Sequence, residues 1–354
     1  MKSILTINSG SSSVKASWFD ANGSRRDFRY EHLRDPRVGF ERLMQDLSGQ
    51  TPAIIGHRFV HGGDITDAAR IVDADELQRL QAIIPLAPLH LPGNLLGVEL
   101  CQKRYAVPQL ACFDTAFHST MPPLAQRLPI PESYGLRRYG FHGLSYAHIA
   151  SVLPALLGDK AYGKVVVAHL GSGASLCLME NLMSQDTTMG YTPAGGIVMG
   201  TRSGDLDPGV MLELAQRHDS ETLRDIVFHK MGLLALSQGV SSEMSELLAS
   251  SSEACRFAGE YFCRDVRGAI ASLAAKAGGI DALVFTGGIG EHSAVIRNKV
   301  CADLAFIGIA LDDSANVRGL GRIQARDSKP VCVIAADEEQ QIYELCRAHL
   351  VNTL

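Results

Sequence analysis

The residues of this chain best suited to chemistry gather in loops that follow short apolar runs. The first such loop is Asn8-Ser9-Gly10-Ser11-Ser12-Ser13, with Lys15 just beyond it. It lies between the strand-like run Ile4-Leu5-Thr6-Ile7 and a second run through Trp18 and Phe19. Small residues let backbone N–H groups approach a ligand, hydroxyls add donors and a lysine adds charge, a combination that suits phosphate oxygens. Taken alone, the stretch reads equally well as a β-hairpin with a Ser-rich turn. A second turn of this kind, His169-Leu170-Gly171-Ser172-Gly173-Ala174-Ser175, follows Lys164-Val165-Val166-Val167-Ala168 and returns through Leu176-Cys177-Leu178. Gly10 falls on Gly171 and Ser11 on Ser172, which suggests a duplicated architecture holding a ligand in the cleft between its halves. A third Gly-rich loop, Gly287-Gly288-Ile289-Gly290, closes the run Ala282-Leu283-Val284-Phe285. It is neither G-x-G-x-x-G nor a Walker A pattern. Three such loops at strand ends nevertheless point to a nucleotide.

Two arginines stand in unusual settings. Arg58 lies between His57 and Phe59-Val60, and Arg202 lies in a Gly/Ser/Thr loop. A surface ion pair is the ordinary fate of arginine. The functional reading is a fork-shaped donor for a carboxylate or for phosphoryl oxygens, whose spreading charge must be met by fixed cations. Asp114 and Glu338 follow apparent strands at the ends where α/β sites collect, and either could hold Mg²⁺ directly or through water. A helix cap is the plain alternative, above all for Glu338. Histidines 57, 61, 90, 118, 142 and 169 fall in loops or at strand ends, without zinc spacing.

The elements that must position these groups alternate between strands and helices. Asp73 with Glu76 reads as a helix start, as does Asp207-Pro208, and Gly278-Gly279 closes a long helix begun near Ser252. The segment between the first hairpin and about Ser48 is polar, with one short helix around residues 39–47. The pattern starts over near residue 150, so the expected domains are 1–149 with 336–354, and 150–335. The composition is that of an ordinary globular protein, 46% apolar and 20% charged. A net charge of −5 gives no support to a nucleic-acid or acidic-membrane partner. Eight cysteines without a CxxC pair suggest buried thiols in a reducing compartment. With no signal peptide or membrane span in the sequence, the expected location is the cytoplasm.

Assembled in order, these motifs resemble the acetate kinase family (acetate, propionate and butyrate kinases) of the sugar-kinase and actin superfamily. The resemblance is carried by INSGSSSVK (7–15), GHRFVHGG (56–63), APLH (87–90), FDTAFHSTMP (113–122), RYGFHG (138–143), AHLGSG (168–173), MGYTPAGGIVMGTRSGDLDPG (189–209), TGGIGE (286–291) and ADEE (336–339). It implies an α/β protein of two ribonuclease-H-like domains with the active site in the cleft between them, usually a homodimer. The implied activity is transfer of a phosphoryl group between ATP and a short-chain carboxylate, with Mg²⁺ or alternatively Mn²⁺.

Position by position, the resemblance makes Arg58, Asp114, His142 and Arg202 catalytic, with His90 and His169 as further active-site histidines. It makes Arg58, Val60, Leu89, Phe141 and Pro193 the carboxylate and acyl pocket. Nucleotide and phosphate contacts fall to Ser11, Ser13, Lys15, His169, Gly171, Ser172, Gly173, Gly287, Gly288, Ile289 and Gly290, and the metal to Asn8 and Glu338. The chain departs from the family pattern at Ser172, Leu91 and His292. It also departs in Ser241-Ser242-Glu243-Met244-Ser245-Glu246, which lacks the arginine expected near adenine. Acetate kinase is the expected activity. The alternatives are propionate or butyrate kinase, the same reaction with another phosphate donor, or a nucleotide-switched binding protein of the same superfamily.

Overall fold

The computed structural model describes residues 2–10, 13–319 and 321–352. Ser11, one of the expected phosphate-binding hydroxyls, lies outside the described residues.

Among the described residues the first unit is built on a six-stranded sheet of β1 (Ile4–Ser9), β2 (Val14–Phe19), β3 (Arg25–Tyr30), β4 (Ile54–Phe59), β5 (Ala69–Ile71) and β6 (Gln109–Phe113), in the order β3-β2-β1-β4-β6-β5. β1 to β3 form an antiparallel meander, β4 runs parallel to β1 and β6 parallel to β4, and β5 pairs antiparallel with β6. The second unit repeats this plan with β7 (Val165–Leu170), β8 (Ala174–Glu180), β9 (Met183–Thr187), β10 (Ala282–Thr286), β11 (Gly321–Arg322) and β12 (Val331–Val333), ordered β9-β8-β7-β10-β12-β11. The senses of pairing match strand for strand. The duplication suggested by the two similar hairpins, and the α/β organisation of two ribonuclease-H-like domains that the family resemblance implies, are therefore what the chain adopts.

Alternation along the strands explains why both faces of the first sheet are covered. Leu5, Ile7, Val14, Ala16 and Ile55 turn to one face, where Phe40, Leu43 and Leu47 of the Pro36–Asp46 region and Cys101 of the helix Leu91–Arg104 pack on them. Ile4, Phe19, Ile54, Leu110 and Cys112 turn to the other, against Ile342, Tyr343 and Cys346 of the helix Glu338–Asn352. β3 is an element the sequence does not announce. Its residues Arg25-Arg26-Asp27-Phe28-Arg29-Tyr30 are mostly charged because it is an edge strand, paired on one side only, where charge discourages pairing with another chain. The expected helix starts are present: Asp73 accepts from the Glu76 N–H, and Asp207 from the Gly209 N–H with Pro208 in the first helical position.

Two compact units divide the chain: 1–119 with 141–148 and 337–354, and 120–140 with 149–336. The segment 120–140 groups with the second unit although it precedes the boundary expected near 150. Arg138 accounts for this. Its guanidinium donates to the carbonyls of Thr187, Thr188 and Met189, and the Tyr139 N–H to that of Gly190.

His57, fully buried on β4, holds Gln109 Oε1 at 2.6 Å through Nε2, while its Nδ1 has no hydrogen-bond partner. Burial lowers its pKa to about 4, the bond to Gln109 opposing. The unfolded chain, with an ordinary histidine pKa, therefore binds the proton more readily between about pH 4 and 6.5, so stability falls as pH drops through that window. We expect urea unfolding to show a His57→Gln variant losing about 2 kcal/mol less than the wild type between pH 7 and pH 5. Equal losses would show that His57 is not neutral in the fold.

Candidate active site

In the first unit the three parallel strands end side by side, and their last residues form one charged cluster. Asn8 comes from β1, Arg58 from β4 and Asp114 from the residue after β6. Arg58 donates through Nε (3.0 Å) and Nη2 (2.5 Å) to Asp114 Oδ2, and through Nη1 to Asn8 Oδ1 (3.1 Å). Asn8 Nδ2 in turn donates to Glu338 Oε2 at 2.8 Å. Asp337 begins that last helix, accepting from the Gln340 N–H, and so sets Glu338 in the first turn facing β1. Of the five N–H groups of Arg58, three are used in these bonds, which leaves two for a ligand.

Burial sets the electrostatics of this cluster. The Asp114 side chain is 1% exposed. Desolvation pushes its carboxyl up to about 6, with Arg58 pulling down and Glu338 adding to the rise. Burial works against the Arg58 charge too, but Asp114 and Glu338 outweigh it and raise its pKa. A buried pair of this kind is costly to break, at about 3–5 kcal/mol for removing one partner, because the other charge is left uncompensated.

Beside this cluster, His142 takes a left-handed conformation (φ 59°) and its carbonyl accepts the Tyr146 N–H at the start of the helix Gly143–Leu157. Gly143 is required there. Its N–H donates to the Asp114 carbonyl at 2.8 Å, and a Cβ would sit 2.0 Å from that same oxygen. His142 is thereby tied to the end of β6. Phe141 is buried against the His61 ring (centroids 5.6 Å apart), with its carbonyl 2.8 Å from His118 Nε2. Val60 is buried just beyond β4, while Leu89 and His90 are partly buried ahead of the helix Leu91–Arg104. In the first hairpin, the Gly10 N–H donates to the Ser13 carbonyl, and Lys15 stands opposite Asn8 in the β1–β2 register.

In the second unit the β7–β8 turn carries Gly171, Ser172 and Gly173, with His169 near the end of β7. β10 pairs with β7, setting Thr286 beside His169 and bringing Gly287 against the turn. A Cβ on Gly287 would lie 2.7 Å from the Leu170 carbonyl oxygen, so only glycine fits at this approach (φ 75°). The stretch Gly287–Gly290, expected as a loop, is instead the start of a short helix, Gly287–His292. Ser172 and Gly288 are exposed, and the Ser172 carbonyl accepts the Gly200 N–H, linking the turn to the Arg202 segment. Arg202 donates to the Pro193 carbonyl at 2.5 Å. No carboxylate pairs with it among the described residues, and desolvation lowers its pKa to about 10. Behind it, Asp205 accepts from the Gly196 N–H and Asp265 from the Val198 N–H, pinning the backbone.

Among the described residues no group of three or more His, Cys, Asp or Glu could hold a metal ion by protein ligands alone. One carboxylate with an oriented neighbour still fits Mg²⁺, which keeps several waters and shares substrate phosphates. Glu338 supplies that carboxylate. Asn8, with its oxygen engaged by Arg58, orients it.

Two contributors were not legible as site residues. Glu339 is a second carboxylate, 3.5 Å from Asn8 Nδ2. Burial raises its pKa, Glu338 adds to the rise and Lys15 opposes it. Asn94, 1% exposed, accepts from the Val60 N–H and donates to the Ser9 carbonyl, so it joins the segment after β4 to the first hairpin. A polar side chain just after Pro92-Gly93 was the only trace of it.

The chain is 40% identical to the acetate kinase of Rhodopseudomonas palustris (strain ATCC BAA-98 / CGA009), across 96% of both proteins. It superposes on the crystal structure of a propionate kinase from Francisella tularensis with a TM-score of 0.88 and 33% identity, covering 97% of this chain and 98% of that one. The Porphyromonas gingivalis acetate kinase structure gives a TM-score of 0.85 at 31% identity, with 99% and 100% covered. The model of the acetokinase family matches residues 37–344. The chain belongs to the acetokinase family.

Proposed function

We propose that the protein is an acetate kinase, catalysing ATP + acetate ⇌ ADP + acetyl phosphate by direct transfer. The observation that carries this reading is the contrast between two arginines. Arg58 is neutralised by Asp114 but keeps two N–H groups for a substrate carboxylate, while Arg202 is desolvated with no carboxylate partner among the described residues. A desolvated, uncompensated guanidinium is suited to the charge that develops on a transferring phosphoryl group.

In this mechanism Arg58 holds the carboxylate and Val60, Leu89, Phe141 and Pro193 enclose its methyl group. The carboxylate is already ionised at neutral pH, so no strong base is needed. Asp114 orients Arg58. His142, fixed by Gly143 at the end of β6, and Arg202 stabilise the phosphoryl in flight, with His90 and His169 assisting. Ser11, Ser13 and Lys15 of the first hairpin, Gly171, Ser172 and Gly173 of the second, and Gly287, Gly288, Ile289 and Gly290 hold the phosphates. Glu338, oriented by Asn8, would hold a bound Mg²⁺, which would supply charge neutralisation at the phosphates.

Propionate is the nearest competing substrate, since one methylene in an apolar pocket changes discrimination by only about 1–3 kcal/mol. We also propose that the protein acts as a homodimer in the cytoplasm. The helices Pro208–Arg217 and Ser220–His229 carry exposed Val210 and Leu212 and have no buried residue, as expected of a surface that another copy covers. The eight cysteines are all free and buried, which suits a reducing compartment. No described helix is long and apolar enough to cross a membrane.

A hydroxylamine trap should detect acyl phosphate from acetate and ATP, and absence of product with acetate, propionate and butyrate alike would contradict a kinase. Arg202→Ala should lower kcat by about 10²–10³-fold with an unchanged circular dichroism spectrum, and full activity would remove its role. Turnover should fall as pH drops through about 6, where Asp114 takes up a proton and loosens its hold on Arg58. Asp114→Asn should be slow and lack this acid limb; a limb that persists in the variant belongs to another group.

A further inference from the structure

Arg297, on the helix Ala294–Cys301, is 1% exposed and heads the fully buried side chains by size among the described residues. No carboxylate pairs with it there. Its donors go instead to neutral oxygens: Nε to Asn316 Oδ1 (2.8 Å), Nη1 to the carbonyls of Gly290 and Glu291 (2.8 Å each), and Nη2 to the Asn316 carbonyl (2.6 Å). Asn316 is itself anchored, its Nδ2 donating to the Ala294 carbonyl at 2.9 Å.

An unpaired buried cation is an expensive way to fill a core, where a similarly sized apolar side chain is often neutral or better for stability. What the guanidinium contacts supplies the reason. Gly290 and Glu291 lie near the carboxyl end of the short helix Gly287–His292, where carbonyls lack intrahelical partners and carry partial negative charge. Two glycines of that helix, Gly288 and Gly290, each weaken it by roughly 0.8–1 kcal/mol relative to alanine. The segment needs holding from outside. Gly287 abuts the Leu170 carbonyl at one end, Glu291 Oε1 accepts the Ala336 N–H, and Arg297 clamps two carbonyls at the other end.

We infer that Arg297 is a positioning residue that fixes the backbone of Gly287–Gly290 to receive the phosphates of the nucleotide. The inference rests on the proposed role of that stretch in nucleotide binding. Arg297 touches no substrate itself. It acts through the carbonyls it holds, so its loss should be felt at the nucleotide and not at the carboxylate.

The test compares the full-length wild type with Arg297→Lys, which keeps the charge but loses the fork, and Asn316→Ala, which removes one acceptor and leaves the arginine. MgADP affinity is measured by titration calorimetry, and KM for MgATP and for acetate by steady-state kinetics. Arg297→Lys should weaken MgADP binding and raise KM for MgATP about tenfold while KM for acetate stays within about twofold. Asn316→Ala should shift the same way and serves alone if the lysine variant does not fold. A purely structural role would lower the melting temperature and the active fraction without separating the two KM values. MgADP affinity within about twofold of the wild type, or equal rises in both KM values, overturns the inference while leaving the nucleotide reading intact. Failure of the wild type to bind MgADP overturns both.

Discussion

The first unit depends on the ion pair between Arg58 and Asp114 at the ends of two adjacent parallel strands. Parallel pairing aligns the carboxyl ends of β1, β4 and β6, so Asn8, Arg58 and Asp114 meet without any long loop reaching across. The meeting is expensive, because both charges lose water. It persists because each group has several partners: Asp114 oxygen for two arginine nitrogens, Asn8 between Arg58 and Glu338, and the Gly143 N–H on the Asp114 carbonyl. The result is a cation held in one orientation with two donors left over. Such preorganisation is what carboxylate binding asks of a site.

The second unit repeats the sheet but not the charge arrangement. There β7 leads into Gly171-Ser172, β10 into Gly287 and β12 into Ile334-Ala335, and Arg202 rests on a backbone carbonyl. Its segment is rigid for other reasons, since Asp205, Asp265 and Arg138 all bond backbone groups of residues 187–198. One fold thus carries two electrostatic arrangements, an arginine neutralised by a buried aspartate in one unit and a desolvated arginine without a carboxylate partner among the described residues in the other. Fold duplication supplies the scaffold, and local side chains supply the chemistry.

Much of this was legible in the sequence where the physics is local. Alternating apolar runs, capping aspartates and the paired small-residue turns gave the sheets and their repetition. Strand-end position singled out Asp114 and Glu338, and a place between His57 and an apolar pair singled out Arg58. What escaped was non-local. β3 was hidden because an edge strand needs charge where the sequence pattern for a strand needs apolar residues. Residues 120–140 fell on the wrong side of the domain division because Arg138 bonds carbonyls about fifty positions downstream. Gly287–Gly290 read as a loop because its helix is held by Arg297 and not by propensity. Asn94 and Glu339 act through pairing that no spacing rule encodes.

The proposed reaction requires an oxygen of the substrate carboxylate to attack phosphorus, leaving both C–O bonds of the acid intact. It is tested most directly with acetate carrying ¹⁸O in both carboxyl oxygens. The ³¹P resonance of the acetyl phosphate formed should show the isotope shift of one ¹⁸O bridging carbon and phosphorus. A bridge containing only ¹⁶O would mean that a phosphate oxygen had attacked carbon, and would contradict the account.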